Sequence, residues 1–416
     1  MNRFRCYAIL VFFFMFFSHV QPLFSHEFLY PVAYTKQDGH TGVYVLYQKS
    51  ITHLELWLWN PETKIATKGL LSTYTPAGLR ILPLNDGFSF IDEGRIRIKK
   101  LIKRSPRTID IYESIYDINE IEWINEDNFY FSAKKNDTFC IFQMDINGVL
   151  ECLIGDAKYD CMYPQVVDDH LFYIERHIED ELLKRKHLSY KVFRTRYTHP
   201  HCSETHITQR YNASKEITKD LLDKDALLDA HDLPCDNSSN IKKECIVDFK
   251  EKPISFLKMI SEDEGFFIAH PSQVERQDKV LQFDCYHIKK NNNDAWDCKT
   301  IFSFSLPAHL LFDVLDARLY ESILPLLPRY HEGSIYFVDY QSTRTGGCNI
   351  FRYDLALGII EQKSFSRYEQ LSFSPIFIDK KMFYGGIINE QCRYSPKMWI
   401  SEDGFVCIDL PCSCVN

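Results

Sequence analysis

Residues 125–131 read Asn-Glu-Asp-Asn-Phe-Tyr-Phe, a short polar turn that leads directly into an aromatic strand. The chain contains seven such turns, rich in Asp, Asn, Glu or Gly, each followed by an apolar strand with an aromatic residue. One aromatic residue marks each copy: Tyr44, Phe88, Phe129, Phe172, Phe266, Tyr336 and Phe383. Aromatic rings pack well on a pleated sheet, and small polar residues favour tight turns. The pattern therefore predicts seven β-hairpins.

The spacing of these markers predicts how the hairpins are grouped. Four of the six steps between successive markers span 41–47 residues, which is the length of one four-stranded propeller blade. A second hairpin generally follows the first, and the clearest one turns at Asn147-Gly148, a strong hairpin signal. We therefore expect an all-β chain that forms a single β-propeller of seven four-stranded antiparallel blades, with six or eight blades as the alternatives.

Two longer steps between markers require insertions in the repeat. They lie at about 198–250 and 305–322. Ser214 is a candidate N-cap for a helix that reaches about Ala230, and Ser305 is the candidate cap of a second helix over 307–321. Insertions on a repeat scaffold can carry a binding function or can cover an edge of the core. Both interpretations of these helical insertions remain open.

Two copies of the repeat carry a more specific motif. Tyr163-Pro164-Gln165 leads to a strand that ends near Ile174, and Phe373-Ser374-Pro375 leads to one near Tyr384. This arrangement resembles that of the TolB-like and WD-repeat-like propellers, although the full Ser-Pro-Asp-Gly string is absent. The resemblance covers nearly the whole chain after residue 25 and implies the fold more than an activity. Propellers of that family serve as protein-binding platforms or gate the substrate of a neighbouring catalytic domain.

The first 25 residues have the features of a secretory signal peptide. Arg3 and Arg5 precede an uncharged apolar run over 6–17, and Ser25 is a small residue at the expected cleavage site. A short membrane anchor is the alternative. We expect residues 26–416 to form the propeller domain of an exported monomer, either periplasmic or extracellular, with no later transmembrane span.

The formal charge of −9 excludes a general nucleic-acid binder. One segment nevertheless concentrates positive charge, and part of it alternates with Ile96 and Ile98 as on a half-buried strand. It is a candidate site for an anionic partner, with a solvated outer strand as the alternative; its basic residues are Arg95, Arg97, Lys99, Lys100, Lys103, Arg104 and Arg107.

Thirteen cysteines follow the signal segment, and an exported chain with so many cysteines is expected to contain disulfides. In the first insertion, His199, His201 and His206 are metal candidates, but their spacing matches no common zinc motif. A disulfide among Cys202, Cys235 and Cys245 is the favoured interpretation. Cys285 and Cys298 would lie opposite each other in a hairpin centred at residues 291 and 292, so they are a further candidate pair.

Local catalytic motifs are absent from the sequence, including a Gly-x-Ser-x-Gly elbow, a phosphate-binding loop and a His-Glu-x-x-His pair. We therefore expect a non-catalytic scaffold without a cofactor that binds a protein partner or a cell-envelope component. Such a scaffold would carry an apolar or aromatic patch on one rim. The alternative is a propeller hydrolase or lyase acting on glycans or peptides, with charged side chains at the mouth of the central channel.

Overall fold

The computed structural model describes residues 28–408 apart from gaps, of which the longer ones are 74–79, 101–106, 110–114, 179–187, 197–242, 271–279, 308–326, 342–346 and 365–370. Shorter gaps span one to four residues. The described residues form 29 β-strands and contain no helix. The first predicted helix lies within a gap and so outside the described residues, and so does the second apart from Pro307, which ends a strand.

The bounds predicted for the two insertions are too wide. Residues 243–249, assigned to the first insertion, form a regular strand, and Ser305, the predicted helix cap, lies inside a strand that ends at Pro307. The backbone N–H of Ser305 donates to the Asp339 carboxylate at 2.7 Å. Strand pairing therefore fixes both positions, and only the chain between the strands can belong to an insertion.

The chain divides into two compact units. Unit 1 comprises residues 1–75, 341–352 and 361–416, and unit 2 comprises residues 76–340 and 353–360.

The first sheet of unit 1 is a four-stranded antiparallel meander. Its strands are β1 (Phe28–Gln37), β2 (His40–Ser50), β3 (His53–Trp59) and β4 (Ala66–Thr73), in that order. Its core side chains, Val43, Val45 and Trp59 among them, pack against Ile378 and Phe383 of the same unit. Val43, Tyr44, Val45 and Leu46 of β2 are all buried, so both faces of this strand are covered.

Unit 2 contains four further four-stranded meanders. Their strands are β5 (Arg80–Ile81), β6 (Gly87–Asp92), β7 (Arg95–Lys100) and β8 (Arg107–Ile109); β9 (Ile115–Trp123), β10 (Asn128–Lys135), β11 (Thr138–Asp145) and β12 (Leu150–Ile154); β13 (Tyr159–Val167), β14 (His170–Ile178), β15 (Leu188–Arg196) and β16 (Lys243–Phe249); and β17 (Ile254–Ser261), β18 (Glu264–Ala269), β19 (Val280–Lys290) and β20 (Trp296–Pro307). Each sheet keeps the chain order of its strands.

The remaining nine strands belong to one sheet. They are β21 (Arg329–His331), β22 (Ser334–Gln341), β23 (Gly347–Asp354), β24 (Ile360–Gln362), β25 (Leu371–Ser372), β26 (Ile376–Ile378), β27 (Lys381–Glu390), β28 (Arg393–Ser401) and β29 (Val406–Ile408). The prediction of seven separate blades is therefore wrong, because the described chain holds five four-stranded blades and this larger sheet. A parallel bridge between Cys348 and Leu371 links strands that the repeats had assigned to different blades.

All seven aromatic markers lie in strands of the expected kind. They fall in β2, β6, β10, β14, β18, β22 and β27, and six of the seven side chains are buried, Tyr336 being the exception. Burial of one such ring stabilises the fold by about 1.5–3 kcal/mol. The repeat thus predicts the core strands correctly, although it does not predict how the last strands pair.

In a four-stranded meander, the first and third turns lie at one end of the sheet and the second turn lies at the other end. The third turn of the sheet β9–β12 shows this well. Gly148 has a φ of 87°, and Asp145 Oδ1 accepts the backbone N–H groups of Asn147 and Val149 at 2.8 Å each. The Asn-Gly hairpin predicted from the sequence is confirmed. We call the end with the first and third turns the turn end.

Candidate functional site

Most of the predicted metal and disulfide cluster lies outside the described residues. This applies to His199, His201, His206, Cys202 and Cys235. Among the residues that the structure does describe, no group of His, Cys, Asp and Glu is arranged to hold a metal ion.

Cys245 is the described member of the predicted disulfide set. It lies in β16 opposite Phe193 of β15, and its exposed thiol is free, with Sγ 3.6 Å from the carbonyl oxygen of Val247. Partial burial, followed by the nearby Asp248 carboxylate, raises the pKa of this thiol. Cys245 therefore stays protonated at neutral pH and is a poor nucleophile.

The predicted opposition of Cys285 and Cys298 is wrong. Cys285 of β19 pairs with Phe302, and Cys298 of β20 pairs with Ile288. The hairpin turn is longer than two residues, because Asn291 Oδ1 accepts the N–H groups of Asn293 and Ala295 and so holds a five-residue loop. This shifts the register, and the Cys285 thiol is free and buried in the core.

Among the described side chains of the basic run, Arg95 is exposed, Arg97 is half-buried and Lys99 is buried. Arg95 is exposed at the start of β7, and Ile96 and Ile98 are buried as predicted. Lys99, however, is only 4% exposed. Lys103 and Arg104 lie outside the described residues, whereas Lys100 ends β7 and Arg107 begins β8 opposite Ile98. The alternation fails at Lys99, where two successive side chains are both buried.

Exposed apolar side chains of unit 2 are concentrated at the turn ends of its strands. Leucine and isoleucine are usually buried, yet Leu357 is 70% exposed and Ile360 is 51% exposed. Seven large apolar side chains are exposed among the described residues of unit 2, and all but Tyr116 lie in or beside such turns: Leu84, Val149, Tyr330, Leu357, Ile359 and Ile360. Turns are normally polar, so this distribution needs a reason other than folding.

Four of these side chains form one group, which we call the apolar turn surface: Tyr330, Leu357, Ile359 and Ile360. The turn that carries Leu357 is held by Asp354, whose Oδ1 accepts the N–H groups of Ala356 at 3.0 Å and Leu357 at 2.9 Å. Gly358 adopts a φ of 68°, which favours glycine. These bonds hold the backbone of the turn while its apolar side chains face solvent.

A second turn joins this one within unit 2. The N–H of Leu355 donates to the carbonyl of Gly333 at 3.1 Å, and the N–H of Gly333 donates to the Tyr330 hydroxyl at 3.2 Å. Because the two turns are hydrogen-bonded to each other, Tyr330 and Leu357 belong to a single preformed surface. The sequence signal for it was the run Leu355 to Ile360 after Asp354, which is too apolar for an ordinary turn.

A polar network joins the turn ends of the sheets β13–β16 and β17–β20. Arg194 contacts the Glu244 carboxylate at 2.6 Å and the Asp263 carboxylate at 3.6 Å, and its guanidinium lies over the Trp296 ring at 5.5 Å. His170 lies 3.4 Å from Glu262. Partial burial alone would raise the pKa of Glu244, but hydrogen bonds from Arg194 and Trp296 lower it. The network aligns the two turn ends on one side of unit 2.

A partly buried polar cluster joins the sheets β9–β12 and β13–β16. Arg176 forms an ion pair with Asp160, and Asp160 also accepts the N–H of Phe139 at 2.9 Å. Burial alone would lower the pKa of Arg176, but Asp160 raises it. Burial, followed by the Glu120 carboxylate, raises the pKa of Tyr163 well above its usual value.

Two residues of this cluster have an unusual backbone. Glu120 and Tyr163 have φ angles of 42° and 59°, a region that large side chains seldom adopt. Such residues often mark functional sites. The charges of Asp160 and Arg176 nevertheless neutralise each other, and Tyr163 stays protonated at neutral pH, so these three side chains supply no general base.

A third polar group lies at the other end of the sheet β17–β20. Asp284 is paired with Lys252 and accepts the Ser303 hydroxyl at 2.6 Å. Burial alone would raise the pKa of Asp284, but its bonds with Lys252 and Ser303 lower it. His270 directly follows β18 of the same sheet, and burial lowers the pKa of its ring to about 4. Asp284 is therefore an ionised partner that neutralises Lys252 rather than an acid poised for catalysis.

Within the part of the chain that is described, no helix is long and apolar enough to cross a membrane.

Neither protein-family models nor curated protein sequences give a match to this chain. Several solved structures do match this chain. The β-propeller domain of the Trilobed protease from Pyrococcus furiosus matches with 11% identity over 93% of this chain and 96% of that chain, at a TM-score of 0.50. An oligogalacturonate lyase from Vibrio parahaemolyticus matches with 12% identity over 91% and 90%, at 0.49. TolB from Acinetobacter baumannii matches with 9% identity over 83% and 65%, at 0.44. The likeness to the Pyrococcus domain shows that this chain has the β-propeller fold.

Proposed function

We propose that the chain is an exported, non-catalytic β-propeller that binds another protein through the apolar turn surface of unit 2. The observation that carries this proposal is the exposure of Leu357, Ile359 and Ile360 on a turn that hydrogen bonds hold in place. Exposed apolar side chains that are grouped and rigidly presented are typical of protein-binding surfaces. Aromatic residues such as Tyr330 are also enriched at the centres of such interfaces.

Preorganisation supports the same proposal. A turn that is already ordered loses little conformational freedom when a partner binds, so more of the contact energy appears as affinity. Asp354 and Gly358 supply this order without contributing apolar contact area themselves. The exposed apolar side chains on these turns of the larger sheet support the proposed protein-binding role.

Peptide selection from a random library tests this proposal, because the library covers many partner sequences at once. Random 12-residue peptides displayed on phage are selected against the purified chain, and affinities for the selected peptides are measured by fluorescence anisotropy. The triple variant L357S/I359S/I360S is expected to lose at least about tenfold in affinity, because a few central apolar side chains carry most interface energy.

The matched control is Ile65→Ser. Ile65 is also an exposed apolar residue of a strand turn, at 63% exposure, but it belongs to unit 1. Its substitution is expected to leave peptide binding unchanged. Peptides that bind the triple variant as tightly as the original chain would show that this surface is not the docking site.

A propeller hydrolase or lyase that acts on glycans or peptides is the second candidate function. The observation that favours it is the left-handed backbone of Glu120 and Tyr163 beside the partly buried Asp160–Arg176 pair. Incubation of the purified chain with oligosaccharide and peptide mixtures, followed by mass spectrometry, tests this candidate. Turnover that disappears in the variant Tyr163→Phe would support it, and an absence of any cleavage would remove it.

A further inference from the structure

The turn ends of three sheets in unit 2 carry carboxylates that lack basic partners. The exposed residues Glu126, Asp127, Asp168 and Asp169 form no ion pair with any described residue, and Glu262 pairs only with His170. Lys and Arg are also absent from the described turns at the turn ends of these three sheets and from two turns of the larger sheet, which together are 124–127, 146–149, 168–169, 262–263, 291–295, 332–333 and 355–359. The turn ends are therefore more acidic than the strands beneath them.

These acidic turns face the same way as the apolar turn surface. The N–H of Phe139 at the start of β11 donates to Asp160 at the start of β13, so the turn ends of the sheets β9–β12 and β13–β16 lie on one side. His170 and Arg194 connect the turns of the sheets β13–β16 and β17–β20. The strands β20 and β22 then run alongside each other, since Phe302 stacks on Phe337 with ring centroids 4.1 Å apart and Ser305 bonds to Asp339 farther along both strands. The starts of β20 and β22, and so their preceding turns, lie on one side.

Basic side chains near these turns leave part of the negative charge uncompensated. Four described basic side chains near these turns are paired with a carboxylate: Lys290 with Asp294, Lys289 with Glu264, Lys243 with Glu175, and Arg194 with Glu244 and Asp263. Exposed Arg196 ends β15 close to the acidic turn of the same sheet. It is one positive charge beside the four carboxylates at 126, 127, 168 and 169, so an incoming group on this side meets a net negative field.

We infer that the partner is a protein segment that combines Lys or Arg with apolar side chains, so that its apolar residues contact Leu357 and Tyr330 while its cations approach the acidic turns. This inference rests on the function proposed above and adds the charge of the partner. Charge complementarity across an interface increases the association rate and excludes partners of the wrong sign. An anionic lipid surface is disfavoured because the same carboxylates would repel it.

Three synthetic 12-residue peptides test this inference: alternating Leu-Lys, alternating Leu-Glu and alternating Ser-Lys. We expect the Leu-Lys peptide to bind at least about tenfold more tightly than the other two, since the surface offers both kinds of contact. Its affinity should fall as sodium chloride rises from about 0.05 M to about 0.5 M, because salt screens exposed charges.

A charge variant and a matched control complete the experiment. Removal of four carboxylates in E126Q/D127N/D168N/D169N is expected to weaken Leu-Lys binding by about tenfold, because each exposed pair contributes little and four are lost together. Asp168 has a φ of 51°, which Asn tolerates. The control Asp248→Asn removes an exposed carboxylate at the opposite end of the sheet β13–β16 and should leave binding unchanged.

The outcomes separate this inference from the proposed function. Equal binding of the Leu-Lys and Leu-Glu peptides, with loss in L357S/I359S/I360S, would overturn the cationic partner and keep the docking surface. Peptide binding that no apolar substitution reduces would overturn both. Binding to vesicles of phosphatidylglycerol, with no peptide bound, would replace the protein partner by a membrane.

Discussion

Leu357 is 70% exposed although hydrogen bonds hold the backbone of the turn around it. An exposed leucine on a mobile loop would need no explanation. Here Asp354 fixes the backbone on both sides of the residue through its carboxylate and its own N–H, which donates to Ile359 at 3.0 Å. At the residue scale, this combination of order and apolar exposure is the strongest indication of function.

His270 provides a prediction at the same scale. Its Nδ1 atom is buried and has no hydrogen-bond partner among the described residues, and burial lowers its pKa from 6.5 to about 4. Folding therefore favours the neutral ring, and the resulting stability is present above pH 6.5 and is lost as the pH falls towards 4. We expect His270 to account for a loss of roughly 2 kcal/mol in the free energy of unfolding between pH 7 and pH 4.5.

Urea unfolding at both pH values measures this effect in the original chain and in His270→Gln. Glutamine does not titrate, so the variant should lose less stability on acidification. Equal losses in the two proteins would mean that the ring is protonated as easily in the folded state as in the unfolded state.

At the element scale, β19 and β20 show where sequence reasoning succeeded and where it failed. Both strands and their hairpin were predictable, because apolar residues flank a run of three asparagines. The register of the two strands was not predictable, because it depends on the hydrogen bonds that Asn291 makes inside a five-residue loop. A change of loop length shifts every cross-strand pair, so the expected opposition of Cys285 and Cys298 was lost.

Gly265 gives a prediction for the pairing of β17 and β18. A Cβ atom at this position would lie 2.6 Å from Met259 Sδ and 2.8 Å from the Lys258 carbonyl oxygen. We expect Gly265→Ala to lower the free energy of unfolding by about 2 kcal/mol through overpacking. Chemical denaturation measures this change.

Gly94→Ala serves as the comparison for this substitution. Gly94 has open space around it but a φ of 74°, so its cost should be about 1 kcal/mol and should arise from the backbone alone. Where a strand glycine has open space and an ordinary φ, its replacement by alanine stabilises the protein. A gain in stability for Gly265→Ala would therefore show that β17 and β18 are less closely paired than described.

For the whole molecule, the fold was more predictable than the site. Local aromatic repeats reported seven core strands correctly, because each hairpin is encoded by its own turn and strand residues. The parallel bridge between Cys348 and Leu371 was not predictable from a local turn, because it joins two residues that are not in the same hairpin. The apolar turn surface also escaped prediction, because its two turns meet only through the bond between Leu355 and Gly333.

The sequence and the structure therefore point to different parts of the chain. The sequence indicated the insertions as the candidate binding sites. The candidate residues there lie outside the described residues: His199, His201, Cys202 and Cys235. The described sheets instead offer a rigid apolar and acidic turn end in unit 2. That surface, and the strained cluster at Glu120 and Tyr163, are the two alternatives for a binding site.

Hydrogen–deuterium exchange of the chain, with and without a selected peptide, separates these alternatives most directly. Binding at the apolar turn surface should slow exchange in residues 329–333 and 354–360, where backbone N–H groups lie beneath the proposed partner. The first strands β9 and β13 should exchange at unchanged rates. Slower exchange confined to Ile115–Trp123 and Tyr159–Val167 would contradict the account and place the site at the partly buried polar cluster.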